Sequence, residues 1–361
     1  MDRRSFLRTS ALGGTAAAAT TLAAPAYAQG NRTLTMVTSV PDGFAVFDEA
    51  AVLFGDMVTS MSGGQLIIDK KPAGSLVGGF EVFDAVSSGQ ADMYHSADYY
   101  FLNQHPGFAY FTGVPFGCTG PETMAWYYHQ GGMELHHQLG ELFNMRSYLC
   151  GNTAMQPGGW FTREVTKPED FQGLRFRMPG QGGQVLSQMG ASVQNIPGGE
   201  IYQALASGAI EGTDWIGPYA DERAGFQEVA PYYYTSGFHE PGTALTMATN
   251  LDVWNSLTPA QQRIIEVACE ATHANNAAMS WAKNGGALAR LVAGGTQVRE
   301  FTDEIWDAFF EAAQVVRNSN MSDPIYAEID ASYFAGMNST AAWWDIGDGE
   351  FIRQRNRVNA G

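Results

Sequence analysis

The chain has 361 residues, 45% hydrophobic and 12% aromatic, with a formal charge of −17. That is enough apolar material for large cores in two domains. So acidic a surface repels phosphate backbones and anionic lipid, which sets nucleic-acid and membrane-surface roles aside.

The first stretch reads Met1-Asp2-Arg3-Arg4-Ser5-Phe6-Leu7-Arg8, then Ala/Gly/Thr/Leu-rich residues to Ala24, then Pro25-Ala26-Tyr27-Ala28. A positive start, a short apolar middle and an Ala-x-Ala step are the parts of a secretory signal. The paired Arg3-Arg4 is of twin-arginine type. The apolar part is too short to span ~30 Å of hydrocarbon, so residues 1–28 are expected to be cleaved, which predicts a periplasmic location. The signal carries two surplus positive charges (Arg3, Arg4 and Arg8 against Asp2), leaving −19 on the remainder.

Beyond the signal, Thr33–Val37 and Leu66–Ile68 read as short strands, with a helical pattern over 43–60 between them. Alternating strands and helices predict an α/β fold. No low-complexity linker separates two halves, so the domains are expected to exchange chain segments. Cys118, Cys150 and Cys269 permit at most one disulfide and have no zinc-type spacing; small buried hydrophobes is the plainer reading.

An internal echo is the most informative feature. Glu81-Val-Phe-Asp-Ala-Val-Ser-Ser-Gly89-Gln-Ala-Asp92 matches Glu200-Ile-Tyr-Gln-Ala-Leu-Ala-Ser-Gly208-Ala-Ile-Glu211 without a gap. Val82, Ala85 and Val86, like Ile201, Ala204 and Leu205, give one buried helix face. Gly89 and Gly208 stand where a helix ends on a left-handed residue. Two copies predict two similar lobes with a ligand cleft between them. Thr258-Pro259-Ala260-Gln261 is a capping box with proline in the first turn; it opens a helix to about Leu291, and Thr302 opens another. One of these long helices is expected to brace both lobes.

No catalytic signature (G-x-S-x-G, H-E-x-x-H, Walker loop or GxGxxG) is present. His136, His137 and Glu141 share a helix, but adjacent histidines face apart. The Gly180-Gln-Gly-Gly183 loop lacks the Lys-Ser/Thr of a phosphate site. Three polar positions sit in apolar contexts at strand ends: Arg177 in Gly173-Leu-Arg-Phe-Arg-Met-Pro179, Asp214 with Trp215, and Glu240 after an aromatic run. Arginine suits a bidentate carboxylate clamp, a surface ion pair being the plain alternative. A carboxylate among aromatics is either exposed or paired with a cation.

The run Gly173 to Gly180, then Gly190-Ala-Ser-Val, then Glu200 to Gly212, together with Pro72-Ala-Gly-Ser-Leu76 and Glu81 to Asp92, resembles solute-binding proteins of tripartite ATP-independent periplasmic (TRAP) transporters, the DctP-like family. The resemblance implies a two-lobed periplasmic-binding-protein fold with an interlobe cleft and a long bracing helix. It implies lobe I from 30–154 and 243–285, lobe II from 155–242 and 286–361, and membrane permease subunits as partners. It places the selectivity arginine on Arg177, leaving Arg175 to the surface. The nearest branch binds 2-oxo or 2-hydroxy monocarboxylates through a metal ion, whose ligands fall on Gln156, Asp214, Trp215 (through its carbonyl) and Glu240. Tyr99 and Tyr100 would contact the small organic-acid anion from the other lobe.

Oxygen-only ligands suit a hard cation, Ca²⁺ or Na⁺, rather than zinc. Such an ion beside Arg177 would let so acidic a chain hold an anion. The expected function is therefore a receptor, not an enzyme, for a 2-oxo monocarboxylate. Lactate or another 2-hydroxy acid, a C4-dicarboxylate or sugar acid held without metal, and a secreted metal-dependent enzyme are the alternatives. The walls Phe44, Phe111, Trp160 and Phe238 would face a ligand tail or be core. Trp343-Trp344 would be a homodimer interface or buried packing.

Overall fold

The structure is a computed structural model describing residues 31–359, so the signal expected at 1–28 lies outside the described residues. Two mixed sheets organise the chain. The first, in the order β2-β1-β3-β10-β4, contains β1 (Arg32–Thr38), β2 (Leu66–Lys71), β3 (Met93–Ser96), β4 (Met145–Asn152) and β10 (Ala244–Asn250). β1 lies parallel between β2 and β3, while β10 runs antiparallel between β3 and β4. Every residue of β10 is buried, because helices or strands cover it on all sides.

The second sheet has the order β11-β9-β5-β8-β6-β7. Its strands are β5 (Gly159–Phe161), β6 (Arg175–Arg177), β7 (Ser192–Gln194), β8 (Gly212–Thr213), β9 (Tyr232–Tyr234) and β11 (Gln297–Arg299). The chain thus leaves the first sheet after Asn152, builds most of the second, and returns at Ala244. Two α/β lobes joined by exchanged segments result.

The echo is structural. Helices Val82–Ser87 and Ile201–Ala206 each end on a glycine with positive φ, Gly89 at 79° and Gly208 at 72°, and each feeds the next strand, β3 or β8. Val82, Ala85 and Val86 are buried, as are Ile201 and Leu205.

The helix Pro259–Ala293 is the brace. Thr258 caps it by accepting from the Gln261 amide, and its 35 residues span about 52 Å at 1.5 Å each. Ile265, Ala268 and Cys269 enter the core of the first lobe, and Leu291 enters the apolar cluster that holds Trp160 and Tyr233 of the second. That cluster also joins Phe47, Ala97 and Tyr99 to Ile201 and Trp215, so the two lobes meet and the cleft is closed.

The 286–361 stretch, expected in the second lobe as a whole, divides. β11 and the helix Asp303–Asn318 serve the second lobe's core through Ile305, Phe309 and Val316. The helix Pro324–Trp344 instead packs Tyr326, Ile329 and Tyr333 into the first lobe. Tyr110 donates to Asp330 (2.5 Å) and the Cys118 amide to the Tyr333 hydroxyl (2.7 Å), while Arg317 and Gln181 reach Asp330 (2.7 Å) and the Tyr326 hydroxyl (3.1 Å) of the same helix from the other side. No helix among the described residues is long and apolar enough to cross a membrane.

Candidate functional site

Arg177 ends β6 and Asp214 follows β8, and these two strands are parallel neighbours with Arg177 opposite Thr213. The Asp214 amide donates to the Arg177 carbonyl (3.1 Å). Both side chains therefore leave the carboxyl ends of parallel strands, where α/β sheets hold ligands. Gln156 and Glu240 sit on the two segments that cross between lobes. These segments are tied together, the Gln156 amide donating to the Glu240 carbonyl (3.1 Å) and the Gly237 amide to that of Gln156 (2.9 Å). Tyr99 and Tyr100 belong to a one-turn helix, Asp98–Phe101, that follows β3 from the facing lobe.

All seven expected site residues meet at the closed cleft. Arg177 is 1% exposed; its Nη1 donates to Asp214 Oδ1 (2.7 Å) and its Nε to the Ile196 carbonyl (3.0 Å), and its guanidinium lies 5.5 Å from the Trp215 ring centre. Arg175, two residues earlier, is exposed beside Glu211 (3.6 Å). Its place at the outer end of the strand keeps it at the surface, as expected.

Gln156 Nε2 donates to the hydroxyls of Thr153 and Thr243 (3.2 Å each), and Thr243 donates to Glu240 Oε2 (2.6 Å). Five buried polar atoms here lack hydrogen-bond partners among the described residues: Arg177 Nη2, Gln156 Oε1, Asp214 Oδ2 and the two ring nitrogens of His239. Leaving such atoms unpaired costs ~1–3 kcal/mol each, so the set is built for groups from outside. Unpaired acceptors on Gln156 and Asp214 beside Glu240 call for a cation, and the free arginine donor calls for an anion.

Burial pushes the Glu240 carboxyl up, with the neighbouring Asp214 charge adding to it; burial also raises Asp214 against the pull of Arg177. Burial, aided by Arg177, drives His239 down to about 3, so its ring is neutral. His239 Nε2 lies 3.8 Å from Asp214 Oδ2, and ligand atoms of Asp214, His239 and Glu240 fall within 4.8 Å of one another. Reading the sequence missed His239, although it adjoins Glu240. Thr153 and Thr243 were missed as well, since nothing marks a lone threonine before the lobes fold.

The remaining sequence candidates lie elsewhere. Buried His136 contacts Asp98 (2.8 Å), His137 turns against Tyr148, and Glu141 pairs with Arg146 (2.5 Å), so they form no cluster. The 180–183 run is the first turn of a helix, Gly180–Gln188, rather than a loop. Phe111, Trp160 and Phe238 are core, stacked on His136, Tyr233 and Phe309, while Phe44 meets Trp215 edge-on. The three cysteines are buried and free.

Residues 36–322 match the family model described as bacterial extracellular solute-binding protein, family 7. The chain belongs to this family. Its members are periplasmic solute-binding receptors rather than enzymes, and they serve TRAP transporters. A monocarboxylate 2-oxoacid-binding periplasmic protein of Nostoc sp. is 37% identical over 309 residues, 85% of each chain. A TRAP solute-binding protein from Bordetella bronchiseptica superposes with a TM-score of 0.89 at 32% identity, over 92% of this chain and 99% of that one. Its crystal is a mixed-occupancy dimer with calcium and picolinate in one active site. A third relative, from Pseudoalteromonas atlantica, holds sodium and pyruvate, with a TM-score of 0.87 at 34% identity over 90% and 99% of the two chains.

Proposed function

We propose that this receptor takes up a 2-oxo monocarboxylate, pyruvate-like or longer, together with Ca²⁺ or Na⁺, and presents it to the permease subunits of a TRAP transporter. The observation that carries the reading is the convergence of one free arginine donor with unpaired oxygen acceptors in a buried pocket. Arg177 would hold the carboxylate, helped by the hydroxyls of Tyr99 and Tyr100. Gln156, Asp214, Glu240 and the Trp215 carbonyl would hold the ion. The donor set fits a hard cation, oxygen being its preferred ligand.

Charge balance agrees. Asp214 and Glu240 against Arg177 and one carboxylate leave two negative charges, which calcium cancels and sodium halves. A 2-oxo oxygen beside the carboxylate completes a chelate on the ion, and a 2-hydroxy acid such as lactate could do the same less strongly. A second carboxylate would meet Asp214 and Glu240, which disfavours C4-dicarboxylates. Binding without a chemical step is part of the proposal, and so is assembly as a homodimer, as in the Bordetella relative.

A thermal-shift panel tests it: pyruvate, longer 2-oxo acids, lactate and C4-dicarboxylates, with and without chelator. Pyruvate should stabilise only when metal is present. Stabilisation by dicarboxylates alone, indifferent to chelator, overturns the reading, as does turnover of a bound acid followed by NMR.

A further inference from the structure

We infer that Phe47, Ile216 and Leu245 read the ligand's chain length, so that the receptor favours the shortest 2-oxo acids. The inference rests on the function proposed above and narrows it.

The closed site encloses a cavity of ≈ 10 Å³, room for about one water. Its polar lining comes from Tyr99, Tyr100, Thr153, Gln156, Arg177 and Thr243, with the Trp215 ring alongside. A carboxylate and its 2-oxo oxygen, admitted as the lobes part slightly, take that side through Arg177, Gln156 and the two tyrosines. The alkyl end must then face what remains, the three apolar side chains Phe47, Ile216 and Leu245.

These three have little freedom to retreat. Leu245 is 1% exposed and lies directly over Gly151: a Cβ on that glycine would stand 2.9 Å from Leu245 Cδ1 and 3.2 Å from the Ala50 methyl. Phe47 meets His95 edge-on (5.6 Å between ring centres), and His95 is anchored to the Cys150 carbonyl (2.7 Å). The backbone of Ile216 is held through its amide by Asp221 (3.1 Å), which also takes hydrogen bonds from Trp160 and Tyr233 (3.0 Å each).

The wall is also divided between lobes. Phe47 and Leu245 come from the first and Ile216 from the second, so extra alkyl volume can be accommodated only by keeping the lobes apart. Interiors packed at this density do not yield to one more methylene without strain. Chain length is thereby read by closure itself.

The test is calorimetric titration of the full protein in saturating Ca²⁺ with pyruvate, 2-oxobutyrate, 2-oxovalerate and 4-methyl-2-oxovalerate. Affinity should fall by about 10–200-fold for each carbon added beyond pyruvate. Leu245→Ala should raise the ratio of 4-methyl-2-oxovalerate to pyruvate affinity by at least about tenfold. Ile216→Val, which keeps the core nearly filled, should move the same ratio in the same direction by less. Equal binding of 4-methyl-2-oxovalerate and pyruvate by the unsubstituted protein overturns the inference alone. An unchanged ratio in both folded variants does so too. Failure of every 2-oxo acid to bind overturns the proposed function with it.

Discussion

Arg177→Lys separates the charge of the arginine from its fork. In the structure Nη1 serves Asp214, Nε serves the Ile196 carbonyl, and only Nη2 is free. A lysine ammonium can still pair with Asp214, but it cannot also reach Ile196 and an incoming carboxylate in the plane that the guanidinium spans. The orphaned Ile196 carbonyl should destabilise the ligand-free protein by ~1–3 kcal/mol. Losing one charge-assisted hydrogen bond to the anion costs a further ~1.5–3 kcal/mol of binding energy. At 1.4 kcal/mol per factor of ten, pyruvate affinity should drop roughly 10–150-fold. Arg177→Ala is the poorer probe, since a buried carboxylate without its counter-ion costs ~3–5 kcal/mol and invites unfolding. Titration calorimetry with pyruvate in Ca²⁺, beside urea unfolding of the ligand-free forms, gives both numbers. Affinity retained within about threefold, less than 1 kcal/mol, would refute the assignment of Arg177 to the carboxylate.

Burial pushes Asp214 up to about 6 and Glu240 up to about 8. Metal ligation needs both ionised, so Ca²⁺ affinity should rise with pH through that window, with protons released as buffer-dependent heat; a flat profile contradicts the ligand set. Burial also lowers His273 to about 4. From its unfolded value of about 6.5 downward, the denatured chain takes up a proton that the native one refuses. Stability should therefore fall from about pH 6.5 to about pH 4 by about 3 kcal/mol and level off below. His273→Gln should flatten that slope in urea unfolding, and an unchanged slope would contradict it. At the tail, Trp343, Phe351 and Val358 are 65%, 63% and 60% exposed. The five-residue π-helical turn Asp345–Gly349 adds one residue to the helical count, which brings the three onto one face. Phe351→Asp is expected to convert a dimer to a monomer in light scattering; a monomeric unsubstituted protein at tens of micromolar would refute the interface.

Much of this molecule could be read from residue order. The capping box at Thr258, the helix faces of the echo and the left-handed Gly89 and Gly208 are local: their cause lies within a few neighbours, so spacing alone reveals them. Arg177, Asp214 and Glu240 were visible as ionisable groups stranded in apolar runs, and family resemblance gave them roles. Other features depend on residues far apart in the chain. His239 became part of the site only when the 155–242 segment folded back and placed its Nε2 near Asp214. The helix Pro324–Trp344 joined the first lobe because Tyr326, Ile329 and Tyr333 find their apolar neighbours among Phe108, Tyr110, Phe111 and Trp126 there. The cavity's size is set by Phe47, Ile216 and Leu245 meeting across two lobes. The amino-acid order by itself determined what kinds of groups bind and where the locally capped helices begin and end. Which groups share one buried volume, and how large that volume is, only tertiary packing decided, because volume and burial are properties of contacts between distant segments.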